Sequence, residues 1–256
     1  MSHVVVRPVR FTDHIDAMQE FLQTVGLRPR IASRSGGWVD LVADGGMVAL
    51  HSAASSVTGG LPGQTRLSFE AADVHGLAER LKAADVPDVV VYDEAYGFVL
   101  SCRDPLGDEI HVDGKTDDLY GYRRVGPETP PDAGLAVVPV RFTDPSEPYG
   151  RWLEALGLTL AFSGDVGYPM YAAGEGGHGY VGVRRPYGDD PADLPIVAGA
   201  AAAQLTFSTR EPIADVAQRL EQSGYATTVT HEDFGSVLTI VDPDGQSVQV
   251  HHAPSP

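Results

Sequence analysis

Alternation and helical spacing follow one another four times along the chain. VVVRPVRF (4–11) alternates and is rich in β-branched residues, which predicts a strand. HIDAMQEFLQTVG (14–26) then sets Ile15, Met18, Phe21, Leu22 and Val25 at helical spacing, with Gly26 as the stop. Short strands are expected near 28–34, 37–43 and 46–52, separated by the turn signals SGG and DGG. The pattern restarts with a strand at RLSFEA (66–71) and a helix at DVHGLAERLKAAD (73–85). Three more strands are expected near 88–93, 97–103 and 108–113. The unit is therefore strand–helix–strand–strand–strand. The apolar stripes of the helices need burial, so one face of each sheet must carry them and the other is left to curve around something.

The second half of the chain repeats the first. VRPVRFTD (6–13) returns as VVPVRFTD (137–144), and TVGLRPR (24–30) is answered by ALGLTLA (155–161), both at an offset of 131. RLSFEAADVHGLAERLKAADV (66–86) is answered by QLTFSTREPIADVAQRLEQSGY (204–225), and YDEAYGFVLSCRDPLGDEIHV (92–112) by THEDFGSVLTIVDPDGQSVQV (230–250), at an offset of 138. The shift of seven reflects extra residues around RRPYGDDPADLPIVAG (184–199). The reading is two homologous domains, 1–114 and 135–256, joined by a Pro/Gly/Asp-rich linker at 115–134.

Composition then narrows the partners. A net charge of −17 over 256 residues repels phosphate backbones and anionic lipid, so neither nucleic acid nor a membrane is expected as a partner. No apolar run is long enough to cross a bilayer, and MSHVVVRPV does not read as a secretory signal. The single cysteine, Cys102, excludes an internal disulfide and suits a cytoplasmic protein; its place between Leu100 and the DP turn marks it as packing. A monomer or homodimer that binds a small molecule is the expectation.

The unit order, with FTD opening the first helix and DPLG or DPDG entering the last strand, resembles the vicinal oxygen chelate superfamily, which includes glyoxalases, bleomycin-resistance proteins and extradiol dioxygenases. The resemblance implies an α+β fold: four βαβββ units forming two tandem glyoxalase-like domains, whose curved mixed sheets enclose ligand cups. Units pair within a domain, across domains or between chains in such proteins, and the sequence leaves that choice open. Metal-using relatives place His, Gln or Glu ligands at cup-facing positions of the first and last strands. The matching positions here are Val6, His51, Arg66 and His111 in the first domain, and Val137, Arg184, Gln204 and Gln249 in the second.

Strand alternation gives the same register for several of these. In RLSFE, Leu67 and Phe69 face the helices, so Arg66, Ser68 and Glu70 face the cup; His51 and His111 follow by the same parity. Valine cannot ligate, and a guanidinium ~4 Å from a divalent ion repels it by roughly 8 kcal/mol at an effective dielectric of about 20. No metal cofactor is therefore expected, with His51 and His111 the residual candidates for a divalent ion, helped by Glu70 or Asp113. His51, His111 and Glu70 are the candidates for acid–base chemistry. Arg10 and Arg141, at matching places in the octapeptide, and Trp38 and Tyr168, also matched, join Arg66, Arg184, Gln204 and Gln249 as candidate ligand-binding residues. An alternative for Arg10 and Arg141 is a carboxylate partner between the domains. His251 and His252 read as an exposed tail.

Two functions compete. One is metal-free sequestration of a small aromatic or oxygen-rich molecule, as in the bleomycin-resistance branch. The other is a lyase, isomerase or dioxygenase using His51 and His111, with or without a metal. A third reading, a non-catalytic module with vestigial cups, would show cups plugged by the protein's own side chains.

Overall fold

A computed structural model describes residues 4–115, 119, 121–126, 129–144, 147–163, 168–186, 194–232 and 235–253. Four units follow one another as the alternation predicts. The helices are α1 (Ile15–Val25), α2 (Val74–Ala83), α3 (Glu147–Ala155) and α4 (Ile213–Gln222). Asp73 caps α2 by accepting a hydrogen bond from the Gly76 amide at 2.8 Å, and α1 ends at Gly26, whose φ of 129° few other residues adopt. Among the described residues no helix is long and apolar enough to cross a membrane.

The strand expected over 4–11 is two strands. Val4–Val6 pairs antiparallel with Ser68–Ala71 in the sheet of the second unit. Val9–Thr12 pairs parallel with Met47–Ser52 in the sheet of the first. The break falls at Arg7–Pro8, where proline supplies no N–H to a ladder. The second domain breaks at Val138–Pro139: Ala136–Val137 joins the Thr206–Thr209 sheet, and Val140–Phe142 joins Tyr180–Arg184. The repeated octapeptide is thus the stitch that ties two sheets into one domain, and the units pair within each domain. Residues 115–134 are more than a connector, since Tyr122–Arg124 pairs antiparallel with Arg28–Ser33 at the edge of the first unit's sheet.

The helices of the two domains share their cores. Phe21, Leu22 and Val25 of α1 pack in one cluster with Val216 and Leu220 of α4; Leu77 and Leu81 of α2 pack in another with Trp152 and Leu153 of α3. Arginines seal both helix pairs. Arg219 of α4 donates to the Thr24 carbonyl at the end of α1 (2.8 Å), and Arg80 of α2 to the Ala155 carbonyl at the end of α3 (2.9 Å). Each satisfies a carbonyl that the helix itself leaves open.

A second reciprocal contact uses the octapeptide arginine. Arg10, 3% exposed, reaches into the DPDG turn of the other domain, pairing with Asp242 and donating to Asp244 at 3.2 Å. Arg141, 4% exposed, reaches into the DPLG turn of the first domain, donating to Asp104 at 3.0 Å and pairing with Asp108. The first aspartate of each turn also accepts amide hydrogens of its own turn, Asp104 from Leu106 and Asp108, Asp242 from Asp244 and Gln246.

Candidate functional site

With the helices on one face of each sheet, side chains of opposite parity line a hollow between the two sheets of the first domain. Its volume is about 540 Å³, within the range of small-molecule sites. Arg66, His51 and His111 all line it, with Trp38 and Glu70. Ala200 and Ala201 of the second domain close one side, where the Leu67 amide donates to the Ala201 carbonyl at 2.8 Å.

One wall is a ladder of stacked groups. The Arg66 guanidinium lies over Phe11 (4.9 Å), Phe11 against His51 (5.4 Å), His51 edge-on to Trp38 (5.4 Å), and Trp38 under the guanidinium of Arg7 (5.2 Å). Cross-strand register builds it, because Phe11 and Trp38 are the two residues directly opposite His51. His51 Nδ1 lies 2.7 Å from the Ser52 carbonyl, which can only accept, so Nδ1 carries a proton.

The floor is a buried ion network. Arg7 is 4% exposed and contacts Asp113 (2.7 Å), Asp40 (3.2 Å) and Glu70 (4.0 Å). Arg30 bridges Glu70 (2.6 Å) and Asp40 (2.8 Å). Burial alone would lower the pKa of Arg7, but Asp40, Asp113 and Glu70 outweigh it and the net shift is upward; Arg30 behaves the same way with Glu70 and Asp40. Three carboxylates face two guanidiniums, and burial, against the pull of Arg7, raises the pKa of Asp113. Burial and then Asp113 push the neighbouring Tyr96 phenol up to about 12, so it stays a hydrogen donor. His111 stands 3.7 Å from Glu109, whose carboxylate accepts from Ser101 at 2.6 Å and is held below its usual pKa mainly by that bond.

Several expectations are corrected by these contacts. Val6 and Val137, the positions matched to metal ligands, are fully buried in the core. Arg10 and Arg141 lie outside the cup, each consumed by the opposite domain's aspartates, so the interdomain alternative holds. His251 is no tail residue: it sits in Ser247–His252, paired with Ser208 and Val237, and burial, then Arg184, lowers its pKa to about 4.

In the second domain, two of the matched positions, Tyr168 and Arg184, come together. Arg184 lies over Tyr168 at 5.5 Å, and Tyr168 presses on Gly182 so closely that a Cβ there would stand 2.5 Å from its ring. Gln204 is 3% exposed, and its Nε2 has no hydrogen-bond partner among the described residues. The charged floor has no counterpart here. Arg7, Asp40, Glu70 and Asp113 are matched by Val138, Met170, Ser208 and His251.

Arg7, Arg30 and Asp40 escaped the sequence reading. Arg7 was legible, since Val4 and Val6 in the core put it on the cup face. Asp40 was legible too, sharing the parity of Trp38 in WVDLV. Arg30 was not, because the pairing of its strand shifts between Pro29 and Ile31 and breaks the alternation there.

The residues present do not suit a divalent ion. Arg66 brings a fixed cation, Val6 is in the core, and the carboxylates of the floor are engaged by Arg7 and Arg30. Among the described residues no three of His, Cys, Asp and Glu come together as a metal site would require.

No family model matches the chain, and no curated protein sequence does. Solved structures do match in fold over its full length. A catechol 2,3-dioxygenase has a TM-score of 0.60 at 14% identity, covering 100% of this chain and 90% of that one. A variant of 4-hydroxymandelate synthase from Streptomyces coelicolor has a TM-score of 0.62 at 13% identity, covering 98% and 93%. The Mn(II)-bound glyoxalase from Novosphingobium aromaticivorans has a TM-score of 0.55 at 15% identity, covering 100% and 89%. At such identities the likeness concerns the fold alone.

Proposed function

We propose that this chain, which has the vicinal oxygen chelate fold in two tandem copies, binds a small flat molecule in the cup of its first domain and does so without a metal. The observation that carries the reading is the ladder Arg66–Phe11–His51–Trp38–Arg7 along one wall of a cavity of about 540 Å³. Phe11, His51 and Trp38, tilted or edge-on to one another, line that wall with aromatic surface, and the guanidiniums at its two ends would orient whatever lies on it. The floor carboxylates are already paired with arginine, which favours holding a ligand over activating water or a substrate on a chelated ion. Sequestration is the role that follows, with His51, His111 and Glu70 as contacts.

Intrinsic fluorescence tests this directly. The chain has two tryptophans, Trp38 in the cup and Trp152 buried between the domains. A panel of flat aromatic compounds, beginning with 2-naphthamide, should contain members that raise Tm and change the emission of Trp38. The emission change should vanish in Trp38→Phe. No stabilising compound, an emission change that survives Trp38→Phe, or turnover of the bound compound would each sink the reading.

A further inference from the structure

Resting on that reading, we infer that the ligand is an aromatic acid and that Arg66 is the residue that reads its negative charge. Arg66 makes four hydrogen bonds, and every acceptor is neutral: Gln64 Oε1 (3.1 Å), the Thr58 carbonyl (3.1 Å), Thr58 Oγ1 (3.3 Å) and the Gly59 carbonyl (3.1 Å). Among the described residues no carboxylate lies within ion-pair distance of it. Its geometry is fixed while its charge is not neutralised, in contrast to Arg7 and Arg30 on the same cavity. Burial works against that charge, and the more distant Asp108 offsets it only in part, so the net shift of its pKa is downward. An anionic ligand oxygen relieves this cost, whereas a neutral one does not.

The surroundings agree. The molecule as a whole carries −17, yet five basic and four acidic side chains line this cavity. An anion is repelled by most of the surface and finds a locally positive hollow here. Phe11, directly under Arg66, is where the ladder begins, so a carboxylate on Arg66 lays its attached ring along Phe11, His51 and Trp38. The far end of such a ligand approaches Asp113 and Glu70, which hydrogen-bond donors suit and a second anion does not.

A matched pair of probes separates this inference from the reading beneath it. 2-Naphthoate and 2-naphthamide differ in charge and scarcely in shape. By calorimetry at low salt the acid should bind about tenfold more tightly than the amide, a difference that salt of about 0.5 M should largely erase. Arg66→Gln should bring the two within about twofold, with the greater loss falling on the acid, while Arg66→Lys, which keeps the charge, should retain part of the preference. Equal binding of acid and amide, or a preference that survives Arg66→Gln, overturns the role of Arg66 and leaves the binding reading standing. Failure of both probes to bind overturns both. Should Arg66→Gln not fold, a preference insensitive to salt in the unsubstituted chain overturns the inference by itself.

Discussion

His251 shows how far one side chain can depart from its expectation. Placed near the end of the sequence, it reads as tail; in the fold it is the match of Asp113, facing Arg184 on the inner side of the second domain. Its pKa falls from 6.5 to about 4, burial first and Arg184 second. The sign follows directly. The folded state resists protonation that the unfolded chain accepts, so stability is lost as pH falls from 6.5 towards 4 and is fully present above 6.5. The loss is up to about 3 kcal/mol, reduced by the solvent that still reaches the ring. His251→Gln should flatten that part of the profile when urea unfolding is compared at pH 7 and about 4.5. An unchanged slope would show that the imidazole protonates freely in the fold. Arg7 departs in the other direction, because simple alternation through Val4 and Val6 would have found it. What obscured it was the match of Val6 to a family ligand position, which drew the reading one residue early.

Among the elements, the four repeated units, their helices and the turn before each domain's last strand were legible because period and turn chemistry agree in each. The crossing of the first strand from one sheet to another was not. Nothing in VVVRPVRF except Pro8 signals it, and a proline is compatible with an edge strand as well. The interdomain pairing of Arg10 with the DPDG turn, and of Arg141 with the DPLG turn, was legible only as an alternative. A repeated arginine fits a ligand or a scaffold equally until the partner is known. The pairing carries a firm expectation. Asp242 is buried, burial raises its pKa, and Arg10 opposes that rise. Arg10→Met should destabilise the chain by about 3–5 kcal/mol by leaving that carboxylate uncompensated, and adding Asp242→Asn should recover part of the loss. Additive effects in urea unfolding would mean that the two residues do not act as a pair.

Taken together, the two domains are copies that have diverged in use. Both retain the stitched sheets, the shared helix clusters and the reciprocal arginines, which is the part that packing demands. Only the first has the charged floor. Its equivalents in the second are Val138, Met170, Ser208 and His251, a change from a salt network to small, apolar and neutral groups. The proposed ligand site is accordingly the first cup, and one ligand per chain is the expectation. The fold neighbours include a Mn(II)-bound glyoxalase, so dependence on a metal is the sharpest rival account. Calorimetry of the full chain with 2-naphthoate, before and after exhaustive dialysis against EDTA, decides between them. The account predicts one site per chain with the same affinity in both samples. Binding that disappears after EDTA and returns with Mn²⁺ or Fe²⁺ would contradict it.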